Sequence, residues 1–188
     1  MVEILEDYPQ AIKYYKQSLG IAREIKDRQG EGRILGHLGN AYNALGDYKQ
    51  AIEYHKQDLA ITREIKDRQG EGYALGNLGN AYQNLSDYAQ AIKYHQQNLA
   101  IAREIKDRQG EGNALNNLGS ALRESGNLAE AEKILRAGIE AWKFLRGRLG
   151  KKDEFKISIF EQQSRTYRLL QTVLIARNKT NDALEIAE

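Results

Sequence analysis

The sequence predicts an all-α protein, a solenoid of antiparallel helix pairs stacked in tandem, and three observations carry the prediction. First, IAREIKDRQGEG at Ile21 returns as ITREIKDRQGEG at Ile61 and again unchanged at Ile101, a period of 40 residues. Second, apolar residues within each period fall at helical spacing, with no alternating run that would read as a strand. Third, the chain holds a single proline, so little interrupts a helix. A helix pair with one shared apolar seam cannot bury that seam alone, and stacking copies side by side buries it.

The units follow in order. Residues 1–30 supply a half repeat, the second helix of a pair. Full repeats occupy 31–70, 71–110 and 111–150, and a degenerate, truncated repeat occupies 151–188. LGNAY at Leu38–Tyr42 and Leu78–Tyr82, with LGSAL at Leu118–Leu122, marks the first helix of each full repeat. In the third unit Ala74, Leu75, Leu78, Ala81, Tyr82 and Leu85 form one apolar face. Tyr88, Ala91, Ile92, His95, Leu99, Ala102 and Ile105 form the face of the second helix.

Four capping-box patterns open the second helices: Asp7 with Gln10, Asp47 with Gln50, Asp87 with Gln90, and Asn127 with Glu130. Gly30, Gly70 and Gly110 are expected to end those helices as left-handed caps. Gly39, Gly79 and Gly119 sit inside the first helix, where glycine costs about 1 kcal/mol relative to alanine. That penalty is tolerable where a missing side chain lets the second helix approach, with Tyr15, His55 and His95 at the facing position. Trp142 replaces Ala102 in register and is expected to pack on the longer helix that follows. That helix spans about Asp153 to Arg177, and Thr180–Glu188 begins its partner. Neither end carries the polar cap usual for a terminal repeat.

Composition narrows the function. Net charge is +2, from 28 basic and 26 acidic residues mixed along the chain, so no basic stripe points to nucleic acid. Absence of cysteine excludes disulfides and thiolate metal sites. The start, MVEILEDYPQ, does not read as a signal peptide, and no apolar run is long enough to span a bilayer. The expectation is a soluble, cytoplasmic protein. His55 and His95 lie one repeat apart on seam positions, where packing explains them better than metal. Glu64 stands four residues before Arg68, reading as a helix-stabilising pair on a solvated face. Arg146, Arg148, Lys151 and Lys152 read as a solvated turn. No phosphate loop joins a strand to a helix, and no catalytic constellation, cofactor or metal site emerges.

Leu78-Gly79, Tyr82, Ala91 and His95 resemble the tetratricopeptide repeat pattern of leucine-glycine, tyrosine, alanine and an aromatic. The 40-residue form, with LGNAY and AREIKDR, is most similar to the repeats of kinesin light chain and the LGN spindle-orientation protein. The resemblance implies a right-handed superhelical solenoid that binds polypeptide. The family unit is about 34 residues, so the extra length is expected in the second helix. From Ser125 onward, SGNLAEAEKILRAGIEAW and FEQQSRTYRLLQTVLIARNKTNDALEIAE resemble the last repeats before a CHAT peptidase domain in bacterial proteins. That likeness implies a sensor arm of a larger protein whose effector, with its histidine–cysteine pair, lies elsewhere.

Binding is expected on the face of the first helix opposite its apolar seam. Arg33, Gly36, His37, Asn40, Asn43 and Ala44 form it in the second unit. Tyr73, Gly76, Asn77, Asn80, Gln83 and Asn84 form it in the third, and Asn113, Asn116, Asn117, Ser120, Arg123 and Glu124 in the fourth. Asparagine is a middling to poor helix former, so eight on one strip invite a functional reading. A carboxamide has two donors and an acceptor, and a ladder of them can hold the backbone of an extended peptide. Asparagines at matching positions of the resembled proteins imply the same use. For Asn40 and Asn80, a hydrogen-bonded ladder between stacked helices suits equally well. The expected partner is therefore a peptide or protein segment, without nucleic acid or membrane. Self-assembly through exposed terminal helices, at residues such as Ile12 and Leu19, is the alternative.

Overall fold

A computed structural model describes residues 8–148 and 153–185, the side chains of 153–156 excepted. Helices make up almost all of it: α1 (Tyr8–Glu24), α2 (Arg28–Ala44), α3 (Tyr48–Glu64), α4 (Arg68–Asn84), α5 (Tyr88–Glu104), α6 (Arg108–Glu124), α7 (Leu128–Arg148), α8 (Asp153–Ala176) and α9 (Thr180–Glu185). Two compact units divide the chain, one up to Asp87 and the other from Tyr88. In the first, α1 packs on α2, α2 on α3 and α3 on α4. In the second, α5 packs on α6, α6 on α7, α7 on α8 and α8 on α9. Each is a run of consecutive helix pairs, the architecture that the period requires.

Both helices of a repeat are 17 residues long, in α1 through α6 alike. The extra length is thus shared, not confined to the second helix as expected. Three-residue connections account for the remainder of each period, and they reuse one hydrogen-bonding plan. At the end of α3, Lys66 is left-handed (φ 58°), its N–H donates to Arg63 O, and Asp67 N–H donates to Thr62 O. This is the double closure of a Schellman motif. Asp67 then turns its side chain forward, and its Oδ1 accepts from Gly70 N at 2.9 Å to cap α4. Asp27 and Asp107 do the same for α2 and α6, after left-handed Lys26 and Lys106.

These connections correct the reading of Gly30, Gly70 and Gly110. They end nothing; they lie in the first turn of α2, α4 and α6. A Cβ at Gly30 would stand 2.2 Å from Asp27 Oδ2, so glycine there makes room for the capping carboxylate. Caps on the second helices form in part. Asp47 Oδ1 accepts from Gln50 N at 3.1 Å, but Asp47 N–H donates to Tyr42 O, so the return bond of a capping box is not made. Asn127 accepts from Glu130 N, and Asp7 lies outside the described residues.

The repeated charges are a solvated face only in part, with Glu64 exposed but not paired with Arg68. Glu64 and Arg68 belong to different helices, and Glu64 pairs with Arg28, 36 residues away. Glu31, Glu71 and Glu111 are buried, each held by an arginine from the preceding helix and one from its own first turn. Arg103 Nε lies 2.9 Å and Arg108 Nη1 2.8 Å from Glu111. Burial alone would raise the Glu31 and Glu111 carboxyls, but their paired arginines hold both below the ordinary value. In the second unit, buried Glu132 replaces the isoleucine of Ile12 and Ile52, and Arg136, Arg177 and Lys179 surround it.

Close helix approach over glycine is observed where it was expected. A Cβ at Gly39 would fall 2.4 Å from the His55 ring, and one at Gly119 2.5 Å from Leu135, the residue equivalent to His55. Tyr15 differs: its ring stacks on His37 at 5.4 Å. Trp142 is wholly buried over Gly112 of the preceding helix α6, where a Cβ would meet its ring at 2.6 Å. This contact with the preceding helix is one that the sequence did not predict. Arg146 and Arg148 extend α7 instead of forming a turn: Arg146 bonds Gln163 and Arg148 lies over the Phe144 ring. Lys151 and Lys152 lie outside the described residues.

Ile12 and Leu19 are buried with Leu35, Leu38, Ala41 and Ile61 in the core of the first unit. They are therefore not an open seam for another copy. Leu115, Leu118, Leu135, Leu170, Val173 and Leu174 anchor the core of the second unit.

Two expected outcomes test this packing by thermal and denaturant unfolding. Gly39→Ala destabilises by roughly 1–3 kcal/mol through overpacking against His55, whereas Gly20→Ala, with nothing within 4 Å of its Cβ, stabilises by up to about 1 kcal/mol. Lys66→Gly relieves a left-handed non-glycine residue and stabilises by roughly 1 kcal/mol, offset in part by the greater freedom of the unfolded chain.

Candidate functional site

In the first unit, the outer faces of α2 and α4 converge over α3. Arg33, His37 and Asn40 from α2, and Tyr73 and Asn77 from α4, line one cavity of about 420 Å³. Five residues singled out from sequence therefore meet in one place. Tyr73 is 60% exposed, an aromatic held at the surface with no core to enter. Its hydroxyl accepts from Gln69 Nε2 at 3.1 Å. His37 and Asn40 also line a neighbouring depression with Tyr8, Tyr15, Ala41 and Ala44.

The asparagines separate into groups. Asn84 Nδ2 donates to Asn43 Oδ1 at 3.1 Å, a rung between successive repeats. Asn40 and Asn80, whose places in LGNAY suit such a ladder, are exposed instead. Asn40, Asn77, Asn80, Asn113 and Asn117 make no side-chain hydrogen bond among the described residues. In the second unit, Asn116 and Arg123 border a cavity of about 320 Å³ with Arg165 and Arg168. Asn116 departs from the expected role: it is buried, and its Oδ1 accepts from Thr166 Oγ1 at 3.2 Å. This carboxamide serves the packing of α6 on α8. Asn113 remains exposed and Asn117 half-buried.

Sequence reading missed the floor of the first unit's cavity. There Asp58 of α3 lies over Gly32 and Gly36 of α2, with Oδ2 only 3.0 Å from where a Gly36 Cβ would stand. Asp58 is 8% exposed and makes no hydrogen bond or ion pair among the described residues. Burial, with the Asp67 charge nearby, pushes its carboxyl up to about 7. A signal existed: the equivalent positions read Ser18, Asp58, Asn98 and Gly138 amid otherwise copied sequence. Variation inside a strict repeat marks a place where the copies do different things.

Buried His55 and His95 are held near 4 by burial, which disfavours the imidazolium. No group of three or more metal-ligating side chains forms among the described residues, and no helix there is long and apolar enough to cross a membrane.

Tandem helix pairs with close glycine contacts and a polar face of unspent carboxamides define a helical repeat protein. The sequence matches the tetratricopeptide repeat family over residues 2–64 and 71–143, and the chain belongs to that family. Its fold is similar to that of BtubC from P. vanneervenii, at TM-score 0.83 and 20% identity over 96% of this chain and 70% of that one. A putative kinesin light chain from Podosopora anserina, with nearly identical TPR-like repeats, has TM-score 0.75 at 17% identity, covering 96% of this chain and 83% of its own. A signal-transduction ATPase with a tetratricopeptide repeat sensor from Pyrococcus horikoshii has TM-score 0.75 at 20% identity, covering 97% of this chain and 27% of that one. Comparison with curated protein sequences gives no match.

The pH dependence of stability checks the Asp58 environment. Its folded pKa lies above the unfolded value, so its contribution is full below about pH 4 and is lost as pH rises through about 7. His55 and His95 have the opposite sign: their contribution is full above about pH 6.5 and is lost as pH falls through about 4. Asp58→Asn is therefore expected to stabilise at about pH 8, by up to roughly 4 kcal/mol, and by much less at about pH 5. Urea unfolding at both pH values measures the difference.

Proposed function

We propose that this chain is a protein-interaction module that holds an extended segment of a partner polypeptide. In the first unit the polar face of α2 and α4 holds such a segment, and in the second the polar face of α6 is a surface of the same kind. The observation that carries the reading is the set of unpaired carboxamides. Five asparagines occupy solvent-facing or half-buried helix positions that asparagine does not favour, and none is used internally. An extended backbone presents alternating donors and acceptors that such side chains match without rearrangement. Arg33, His37, Asn40, Tyr73, Asn77 and Asn80 would contact a segment held by the first unit, and Asn113, Asn117 and Arg123 one held by the second. The Asn43–Asn84 pair would stiffen the face beside them.

A finer reading makes the chain a sensor arm within a larger protein. It rests on the likeness of residues from Ser125 onward to CHAT-linked repeats. The repeat sensor carried by the Pyrococcus horikoshii ATPase lends it support as an arrangement already found in this fold.

Pools of N-acetylated, C-amidated hexapeptides, titrated against the whole chain, test the module. Asn77→Ala in the first unit and Asn117→Ala in the second are each expected to weaken the best pools that the unit binds by about fivefold, roughly 1 kcal/mol for the lost hydrogen bond. Circular dichroism should show unchanged helicity. A parallel loss of helicity would make the two asparagines structural, and unchanged affinity would remove them from the contact.

A further inference from the structure

We propose that the cavity between α2, α3 and α4 takes the lysine or arginine side chain of the bound segment, with Asp58 as its counter-charge. The proposal rests on the peptide-binding reading above and names the chemistry of one residue of the partner. Asp58 lies at the floor, with over nine-tenths of its surface buried, facing the open volume instead of a partner in the fold. An unpaired buried carboxylate is unfavourable, and nothing in the packing of α2 on α3 requires one. Ser18, Asn98 and Gly138 hold the equivalent place in the other copies without any carboxylate. The acid therefore appears once, at the position where the cavity is.

The cavity has the form of a long cationic side chain. Gly32 and Gly36 leave the wall beside the carboxylate as bare backbone. Ile61 and Ile65, with the exposed ring of Tyr73, offer apolar surface to a methylene stem. About 420 Å³ accommodates such a side chain. The charged groups facing Asp58 are Arg33 on α2 and Asp67 at the start of α4, and His37 and Tyr73 are the other titratable groups there. Asp67 uses one oxygen to cap α4, and its charge adds to the attraction for a cation. Arg33 is exposed at the rim and makes no ion pair with Asp58, so the counter-charge is not supplied by the chain itself.

Positional scanning of the same capped hexapeptide pools decides the matter, since capping removes the terminal ammonium as a competing cation. Pools with lysine or arginine fixed at one position are expected to bind the whole chain about tenfold or more tighter than pools with norleucine there. In Asp58→Asn that preference should vanish while preferences at other positions remain. In the wild-type protein, the carbon-13 carboxyl titration of Asp58 should move to lower pH on adding the best basic peptide and stay put with its norleucine analogue. This second readout decides the question even if the variant folds poorly. Binding without a basic preference, or a preference that survives Asp58→Asn, overturns the assignment and leaves the peptide-binding reading standing. An Asp58 midpoint already at the ordinary aspartate value in the free protein also overturns it, because Arg33 would then occupy the carboxylate. Failure of every pool to bind overturns both.

Discussion

The three-residue connection led by a left-handed residue and ended by an aspartate is the constraint on which the other contacts depend. Asp27, Asp67 and Asp107 each donate a backbone N–H to close one helix and offer a side-chain oxygen to cap the next. One residue thereby satisfies orphan groups at two helix ends, which fixes the change of direction within very few torsions. The glycine in the following first turn leaves the carboxylate room to reach its donor. The paired arginines then straddle the connection, one before it and one just after, and clamp the buried glutamate of the new helix. The nearly invariant string AREIKDRQGEG is thus largely a single device, in which both arginines, the aspartate and the final glutamate serve the corner.

With the corner fixed, the interior is free to use a small vocabulary. Glycine opposes His55 on one helix pair and Leu135 on another, and the ring or branched side chain fills the space that the glycine leaves. At Gly112 the same principle admits an entire indole, the largest wholly buried side chain of the second unit. Departures from the repeat concentrate in that unit, where buried Glu132 draws one cation from α7 and two from the connection between α8 and α9. A charge there replaces the apolar contact that earlier copies make.

The same division between copied corner and varied interior explains the face assigned to binding. Corner residues are spent on one another, whereas Asn40, Asn77 and Asn80 of α2 and α4, and Asn113 and Asn117 of α6, are not. Asp58 belongs to this second group although it is buried. Its neighbours in the fold offer it no proton donor, and its environment favours the neutral acid until a cation arrives. Peptide recognition by a carboxamide face and an acidic socket would divide the work in the usual way: backbone contacts supply affinity and the socket selects a side chain.

Sequence by itself determined the helical class, the 40-residue unit, the helix assignments and the face to inspect, because periodicity and helical spacing are local and are repeated often enough to be unambiguous. It located the glycine contacts through the pairing of Gly39 with His55. It misjudged Gly30, Gly70 and Gly110, since a glycine after a helix and a glycine in the next first turn look alike until the capping partner is placed. It gave no sign that Glu31, Glu71 and Glu111 are buried, because their arginines come from two helices and meet only when the corner folds. Only tertiary structure separated buried Asn116 from exposed Asn113, joined Asn43 to Asn84, and set Asp58 beneath five residues from two other helices. Those are relations across helices, and a linear pattern carries no measure of the distance between side chains on different ones.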